Sequence, residues 1–504
     1  MYLSSNYKLI LFSLLVFSAH LFTINYFPTN FEGAYAELAF FFQNNNKMFL
    51  LDSFYNLQAN TYFFSILASG LSFILSLEPP MMLRILSAAS YFILIHAFIK
   101  LLDFANLKFK YIYLLVFLTN PLIWNYGYKI YVDLFSFSLG LYGFSIFIND
   151  YNSKNKQLIS AVIITAAVLL KPFNLIFIFI NLIFIFLHKK KINIYVVISF
   201  LTPIICFIVF IIINKIIFDF YVLPFKFISD ESIFVPLNNI NTLFFNKIIS
   251  NFIYYLGFLG LIVFPISLGV VKKEMVNLKN CFIIFFITIF ALLLSLYLSD
   301  NYGELSLGPL QKYFGVFIYK FIISFSFIYL VYFIFNLKNF YKNKIVFENL
   351  KNIYFFIFFV LIYIICLCFL KLSQRYLILV VPFIYIILLS LELKKFLLIF
   401  HIFINVILNF FLLFHYTAQS SVSEQLYSYM YSKNILFNTN PGIYLPHLMH
   451  KYQSIENFNK NNNYFLRTVK YEIILSDRNN NLECVYFSYK FLNKEYNKVC
   501  LKKL

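Results

Sequence analysis

From Leu9 to His415 the chain is a succession of apolar runs, roughly 17–25 residues each, rich in Phe, Ile, Leu and Tyr and parted by short polar links. A run of that length crosses the hydrocarbon core of a bilayer as a helix, so the pattern predicts an all-α polytopic membrane protein. About thirteen spans are expected, near residues 9–26, 82–102, 110–127, 133–149, 158–170, 172–188, 192–214, 250–271, 280–299, 315–337, 352–370, 376–392 and 396–415. The run from Tyr62 to Leu77, with Gly70 near its middle and Glu78-Pro79-Pro80 at its end, is expected to lie in the outer interface of the membrane without crossing it. After His415 the apolar runs give way to Asn, Ser, Tyr and Lys. Residues 416–504 therefore read as a small external α+β domain: a helix over 420–431, then two alternating strands, 465–475 and 482–491, paired as a hairpin about Ser476-Asp477-Arg478-Asn479. Residues 1–415 form the transmembrane domain, with residues 27–81 as its first external loop.

Composition agrees with the pattern. The chain of 504 residues is 62% hydrophobic and 12% charged, about half the charge of a soluble domain. A net charge of +19 in a soluble protein points to nucleic acid, but here most lysines sit in short links between spans, so no nucleic acid is implied. The clusters Lys100/Lys108/Lys110, Lys154/Lys156, Lys189-Lys190-Lys191, Lys272/Lys273/Lys279, Lys338/Lys342/Lys344/Lys351 and Lys394/Lys395 fall on one side only if residues 62–77 do not cross. By the positive-inside rule that side is cytoplasmic, which puts the N-terminus inside and the C-terminus outside. The first span has no small-residue cleavage site and reads as a retained helix of a cell-membrane protein. Cys484 and Cys500 fall on neighbouring strands in an oxidising compartment, where a disulfide and two free thiols both remain open.

Charge is scarce enough to mark chemistry. Only 21 residues are acidic, yet Glu32 and Glu37 lie five apart in Asn30-Phe31-Glu32-Gly33-Ala34-Tyr35-Ala36-Glu37, in the first external loop. Asp133 opens the fourth span, and Lys171-Pro172 interrupts an apolar stretch at an external tip. Arg375 opens a later span, and Arg84 follows Pro79-Pro80; they are the two arginines of the membrane portion. Ionisable groups at helix ends on one membrane face mark a functional site. The cations suit a phosphate ester, with its prenyl chain between the spans, and a carboxylate suits deprotonation of an attacking hydroxyl.

These motifs resemble the membrane glycosyltransferases of the GT-C superfold, and within them the dolichyl-phosphate-mannose protein mannosyltransferases and lipid A aminoarabinose transferases (glycosyltransferase families 39 and 83). The resembling residues are Phe31-Glu32-Gly33-Ala34-Tyr35-Ala36-Glu37, Arg84, Asp133, Lys171-Pro172 and Arg375-Tyr376-Leu377...Pro382, in the family's order. The family's leading acid falls at Phe31, which leaves Glu32 as the catalytic base. The resemblance further implies Asp133 as a second catalytic carboxylate, and Lys171, Arg375, Arg84, Tyr35, Tyr376 and Glu37 as substrate-binding residues. A divalent cation (Mg, Mn or Zn) held by Glu32 and Asp133 belongs to the same expectation. The activity implied is inverting transfer of a sugar from a polyprenyl-phosphate donor to a lipid, glycan or protein acceptor at the outer face, among membrane lipids. A cell-surface polysaccharide polymerase or a lipid-linked glycan flippase or transporter is the alternative.

Overall fold

The computed structural model describes residues 2–26, 63–218, 242–264, 347–369, 374–391, 393–432, 471–475, 484–491 and 494–503, together with single positions and short stretches between them, among them Glu32, Tyr35, Lys320 and Leu330. Glu37, most of the expected spans 280–299 and 315–337, and the expected turn at 476–479 lie outside the described residues. The elements are helices α1 (Tyr2–His20), α2 (Phe63–Leu75), α3 (Pro79–Phe104), α4 (Tyr111–Leu118), α5 (Pro121–Gly127), α6 (Val132–Asn149), α7 (Lys154–Leu170), α8 (Ile176–Leu187), α9 (Ile194–Phe218), α10 (Thr242–Val263), α11 (Phe347–Cys368), α12 (Val381–Leu389) and α13 (Lys395–Ser432). Strands β1 (Tyr471–Leu475), β2 (Cys484–Phe491) and β3 (Lys494–Lys503) follow.

The chain is a helical, polytopic membrane protein: among the described residues five helices (Pro79–Phe104, Val132–Asn149, Ile194–Ile213, Lys351–Cys368 and Lys395–Leu426) are long and apolar enough to cross a bilayer. The outer helices show the inverted polarity this requires. On α9, Leu201, Ile205, Ile208 and Ile212 are each about half exposed and recur at helical spacing, an apolar stripe that only lipid can cover. Helix α2 has thirteen residues, about 20 Å of rise, which is short of a roughly 30 Å core.

Helices α3, α6, α7 and α9 pack side by side, while α8, α10, α11 and α12 close the core around aromatics such as Phe144, which stacks on Phe355 and meets Phe383 edge to face. Small residues set the closest approach. Ser160 Oγ on α7 donates to the Gly143 carbonyl on α6 at 2.8 Å, and a Cβ built at Gly143 would lie 2.7 Å from Ile164 Cγ1.

Among the described residues the helices break at three places near a proline, two inside the expected spans 110–127 and 376–392 and one at the expected boundary between 158–170 and 172–188. The span near 110–127 divides into α4 and α5 because Pro121 lacks an N–H and disfavours helix in the residue before it. Asn120 caps α5, its side chain accepting from Leu122 N at 3.0 Å, and Asn409 Nδ2 donates to the freed Thr119 carbonyl at 2.9 Å. At Lys171-Pro172 the backbone turns extended (φ −153°, ψ 112°) and then enters a 3₁₀ turn, Pro172–Leu175. Asn174 Nδ2 donates to the carbonyls of Ala167 (2.9 Å) and Lys171 (3.1 Å), which satisfies the break from within. The span near 376–392 begins as a 3₁₀ turn, Gln374–Leu379, ahead of Pro382.

Two expectations about the C-terminal part are corrected. Helix α13 runs unbroken through residue 415 to Ser432, since nothing between the apolar run and the polar Ser420 stretch breaks a helix. The sheet order is β1-β3-β2, so the hairpin is β2–β3, and β1 adds antiparallel to the far side of β3 instead of pairing with β2. The register sets Cys484 opposite Lys502 and Cys500 opposite Tyr486. The two cysteines are thus diagonal across the β2–β3 pair. The sheet packs on α13, with the Phe414 and Tyr489 rings 5.9 Å apart.

Replacing Gly143 by Leu is expected to destabilise the protein by about 1–3 kcal/mol through overpacking against Ile164. A lowered thermal unfolding midpoint of the detergent-solubilised protein, partly restored by adding Ile164→Ala, checks it.

Candidate functional site

The charged residues singled out from the sequence sort into two clusters joined by one short segment, residues 126–133. The first cluster is a pocket lined by the start of α6, the α7–α8 step and the 374–379 turn. The space between its walls, open solvent included, is about 290 Å³. Its chemistry is carried by Asp133, Lys171, Arg375 and Tyr376, beside Phe173 and Asn174.

Local structure explains each position. Asp133 is the second residue of α6, where the exposed N–H groups of the first turn favour a carboxylate. Pro172 forces Lys171 out of the helix, and its ammonium turns to ion-pair with Asp133 Oδ1. The Lys171 ammonium and the Arg375 guanidinium lie 5.8 and 5.6 Å from the centre of the Tyr376 ring, and Phe173 stacks on that ring at 5.2 Å. Tyr363 fixes the turn by donating to the Tyr376 carbonyl at 2.8 Å. Two valences in the pocket are left open: Asp133 Oδ2 and Arg375 Nε are both buried and have no hydrogen-bond partner among the described residues.

The second cluster holds Glu32 and Arg84, both almost fully buried. Glu32 Oε1 accepts from Ile130 N at 2.7 Å and lies 3.6 Å from Arg84 Nη1. The Tyr416 hydroxyl lies 2.8 and 2.9 Å from the two Glu32 oxygens and accepts from Arg84 Nη1 at 2.6 Å. Arg84 also donates to the carbonyls of Tyr128 (3.1 Å) and Tyr26 (2.8 Å). Protein groups thus engage both carboxylate oxygens and both terminal nitrogens of the guanidinium, which is how a buried pair survives its desolvation. Neither lines the pocket, so the base expected at Glu32 and the phosphate clamp expected at Arg84 occupy a structural knot instead.

Tyr35 backs this region with its ring against Phe64 (5.8 Å) and its carbonyl accepting from Ser65 Oγ (2.9 Å), close enough for its phenol to act electrostatically on Arg375. The donor set does not fit a divalent cation. Asp133 faces an ammonium and a guanidinium, Glu32 has both oxygens engaged, and no group of three His, Cys, Asp or Glu side chains gathers among the described residues.

Sequence reasoning missed Tyr416, Lys129 and Asn174. Tyr416 meets Glu32 from 384 positions away, and no local pattern marks it. Lys129, half-buried, holds its ammonium 5.2 Å from the Tyr416 ring centre and 5.9 Å from that of Tyr128. Burial, and after it the neighbouring Arg84, lower its pKa from 10.5 to about 8 against the opposing pull of Glu32.

No family model matches the chain, and no curated protein does. Two solved structures are similar to it over 99% of this chain and 98% of theirs, both of ArnT from Cupriavidus metallidurans. The crystal structure in the apo state gives a TM-score of 0.43 at 10% identity, and that bound to undecaprenyl phosphate 0.44 at 12%. A likeness of this size assigns no role to any residue of this chain.

Removing one partner of the Glu32–Arg84 pair is expected to cost about 3–5 kcal/mol, because it strands a buried charge. Arg84→Met should therefore unfold at a much lower temperature than the double variant Arg84→Met/Glu32→Gln. Lys129 adds a pH signature. Between pH 8 and 10.5 the unfolded chain holds a proton that the fold has lost, so stability rises with pH across that window, and Lys129→Met should flatten the rise in the unfolding midpoint.

Proposed function

We propose that this chain is a membrane glycosyltransferase of the GT-C type, which moves a sugar from a polyprenyl-phosphate donor to a hydroxyl of a lipid, glycan or protein acceptor, with inversion at the anomeric carbon. The reaction takes place at the outer face of the cell membrane, with the N-terminus cytoplasmic and the C-terminus outside. The lysine-rich links and the pocket residues at helix ends support that sidedness.

One observation carries the proposal. A single pocket presents a guanidinium whose Nε has no hydrogen-bond partner, a buried ammonium and a carboxylate with one unpartnered oxygen. That set complements a phosphate ester beside a hydroxyl nucleophile. Arg375 and Lys171 hold the phosphate, the guanidinium through paired N–H donors that match phosphate geometry. Asp133 Oδ2 takes the acceptor proton as the sugar carbon leaves the phosphate oxygen. The stacked rings of Phe173 and Tyr376 supply a flat apolar wall for a sugar face or an isoprene unit.

The carboxylate inventory supports inversion. Retention by double displacement needs a carboxylate nucleophile as well as an acid–base partner, and among the described lining residues Asp133 is the one carboxylate. Base and metal-ligand roles for Glu32 are dropped, because its oxygens serve Tyr416, Ile130 and Arg84. Its contribution is to fix the segment that carries Asp133.

The test uses the full chain in lipid nanodiscs with a panel of polyprenyl-phosphate hexoses and pentoses. Asp133→Asn is expected to cut transfer by about 10²–10⁴-fold per folded molecule, with a lowered unfolding midpoint because the buried Lys171 ammonium loses its partner. Arg375→Ala should raise the KM for the lipid donor. Wild-type activity in both variants overturns the assignment, as does the absence of transfer from every donor of the panel.

A further inference from the structure

Among the described residues, the charges lining the pocket are Lys171, Arg375 and Asp133, and the other lining residues carry no formal charge. The groups facing Asp133 from each neighbouring element are Lys171 at the α7–α8 step, Arg375 on the 374–379 turn, and the phenols of Tyr126 and Tyr131 before α6. With both cations charged and the carboxylate ionised, the site carries one net positive charge. That matches a phosphodiester, which has one negative charge, and falls one short of a phosphomonoester, which approaches two above its second pKa near 6. Among side chains as buried as Asp133 and Lys171 an unbalanced charge is costly. The product of the transfer proposed above is such a monoester, so the site must gain one positive charge as the reaction runs.

Asp133 and Lys171 have the means to supply it. Their contact uses only Oδ1, leaving Oδ2 buried and open to a proton. Lys171 is tied to no other side chain among the described residues, and its ammonium stands over the same Tyr376 ring as the Arg375 guanidinium. We propose that the Asp133–Lys171 pair is exchangeable: as lipid phosphodiester becomes phosphomonoester, Asp133 takes one proton on Oδ2 and Lys171 passes from Asp133 to the second charged phosphate oxygen. This rests on the pocket being the donor site.

The step balances. The acceptor O–H gives its proton to Asp133 and its oxygen electron pair to the anomeric carbon. The anomeric C–O bond to phosphate breaks, its electrons stay on the phosphate oxygen, and the site is neutral before and after. Arg375, which has no carboxylate ion-pair partner among the described residues, holds the phosphate throughout, and Lys171 acts only on the product side. The pocket therefore binds the monoester with proton uptake and the diester without it.

Calorimetric titration of the full chain in nanodiscs at pH 8, in two buffers of different ionisation enthalpy, tests this with farnesyl monophosphate and its methyl diester. The wild type is expected to take up about one proton per monoester bound and none per diester. In Asp133→Asn the uptake vanishes and the affinity ratio of monoester to diester rises about tenfold, since the neutral amide frees Lys171 beforehand. In Lys171→Met that ratio falls by a similar factor. Monoester binding without proton uptake in the wild type overturns the exchange and leaves the donor site standing, and the wild-type measurement decides this whether or not the variants fold. Uptake that persists in Asp133→Asn also overturns it, because the proton then resides on the phosphate. If neither lipid binds, the donor site falls and the exchange with it.

Discussion

Inside a bilayer a backbone that leaves the helix has no water to receive its hydrogen bonds, so every break must be satisfied from within the protein. This constraint organises the molecule. The interruptions at Asn120-Pro121, Lys171-Pro172 and 374–382 are each set by a proline, and the first two are visibly closed by asparagine amides: Asn120 and Asn409 at one, Asn174 at the other. The breaks are also where the chemistry sits. A continuous helix cannot aim Lys171 sideways at Asp133 or lay Arg375 across Tyr376; a backbone already turned extended or 3₁₀ does both.

The two ionic clusters divide the work of charge. One is closed on protein groups: Glu32, Arg84 and Tyr416 bond to one another, and what they accomplish is to pin the carbonyl of Tyr128 and the N–H of Ile130. The other is open, with unspent valences on Asp133 and Arg375. Tyr131 stands between them and feels both carboxylates, which shows how short the connecting segment is. A rigid closed cluster a few residues upstream lets an open one keep its geometry without neutralising itself.

Much of this was legible in the sequence. Apolar run length carried the membrane class, and the rarity of charge drew attention to Asp133, Lys171 and Arg375, each beside a proline or at a span boundary. What was not legible is who meets whom. Glu32 and Arg84 stood out by the same scarcity and are equally buried, but their partner Tyr416 sits hundreds of residues away in a segment that reads as polar surface. Composition marks an ion; only tertiary packing says whether its lone pairs are already occupied. The strand order failed for a related reason, since alternation identifies β1 and β2 without saying that β3 inserts between them.

Hydropathy falls at residue 415, and a boundary drawn there looks natural. Yet α13 is one rod of 38 residues, about 57 Å long, with Tyr416 on its inner side, Thr417 Oγ1 at 3.0 Å from the Tyr26 hydroxyl, and the sheet packed along it. The polar tail is thus a strut and not an appendage: severed at the hydropathy step, it would take away the hydroxyl that bridges a buried carboxylate to a buried guanidinium, and the membrane portion would lose a piece of its own interior.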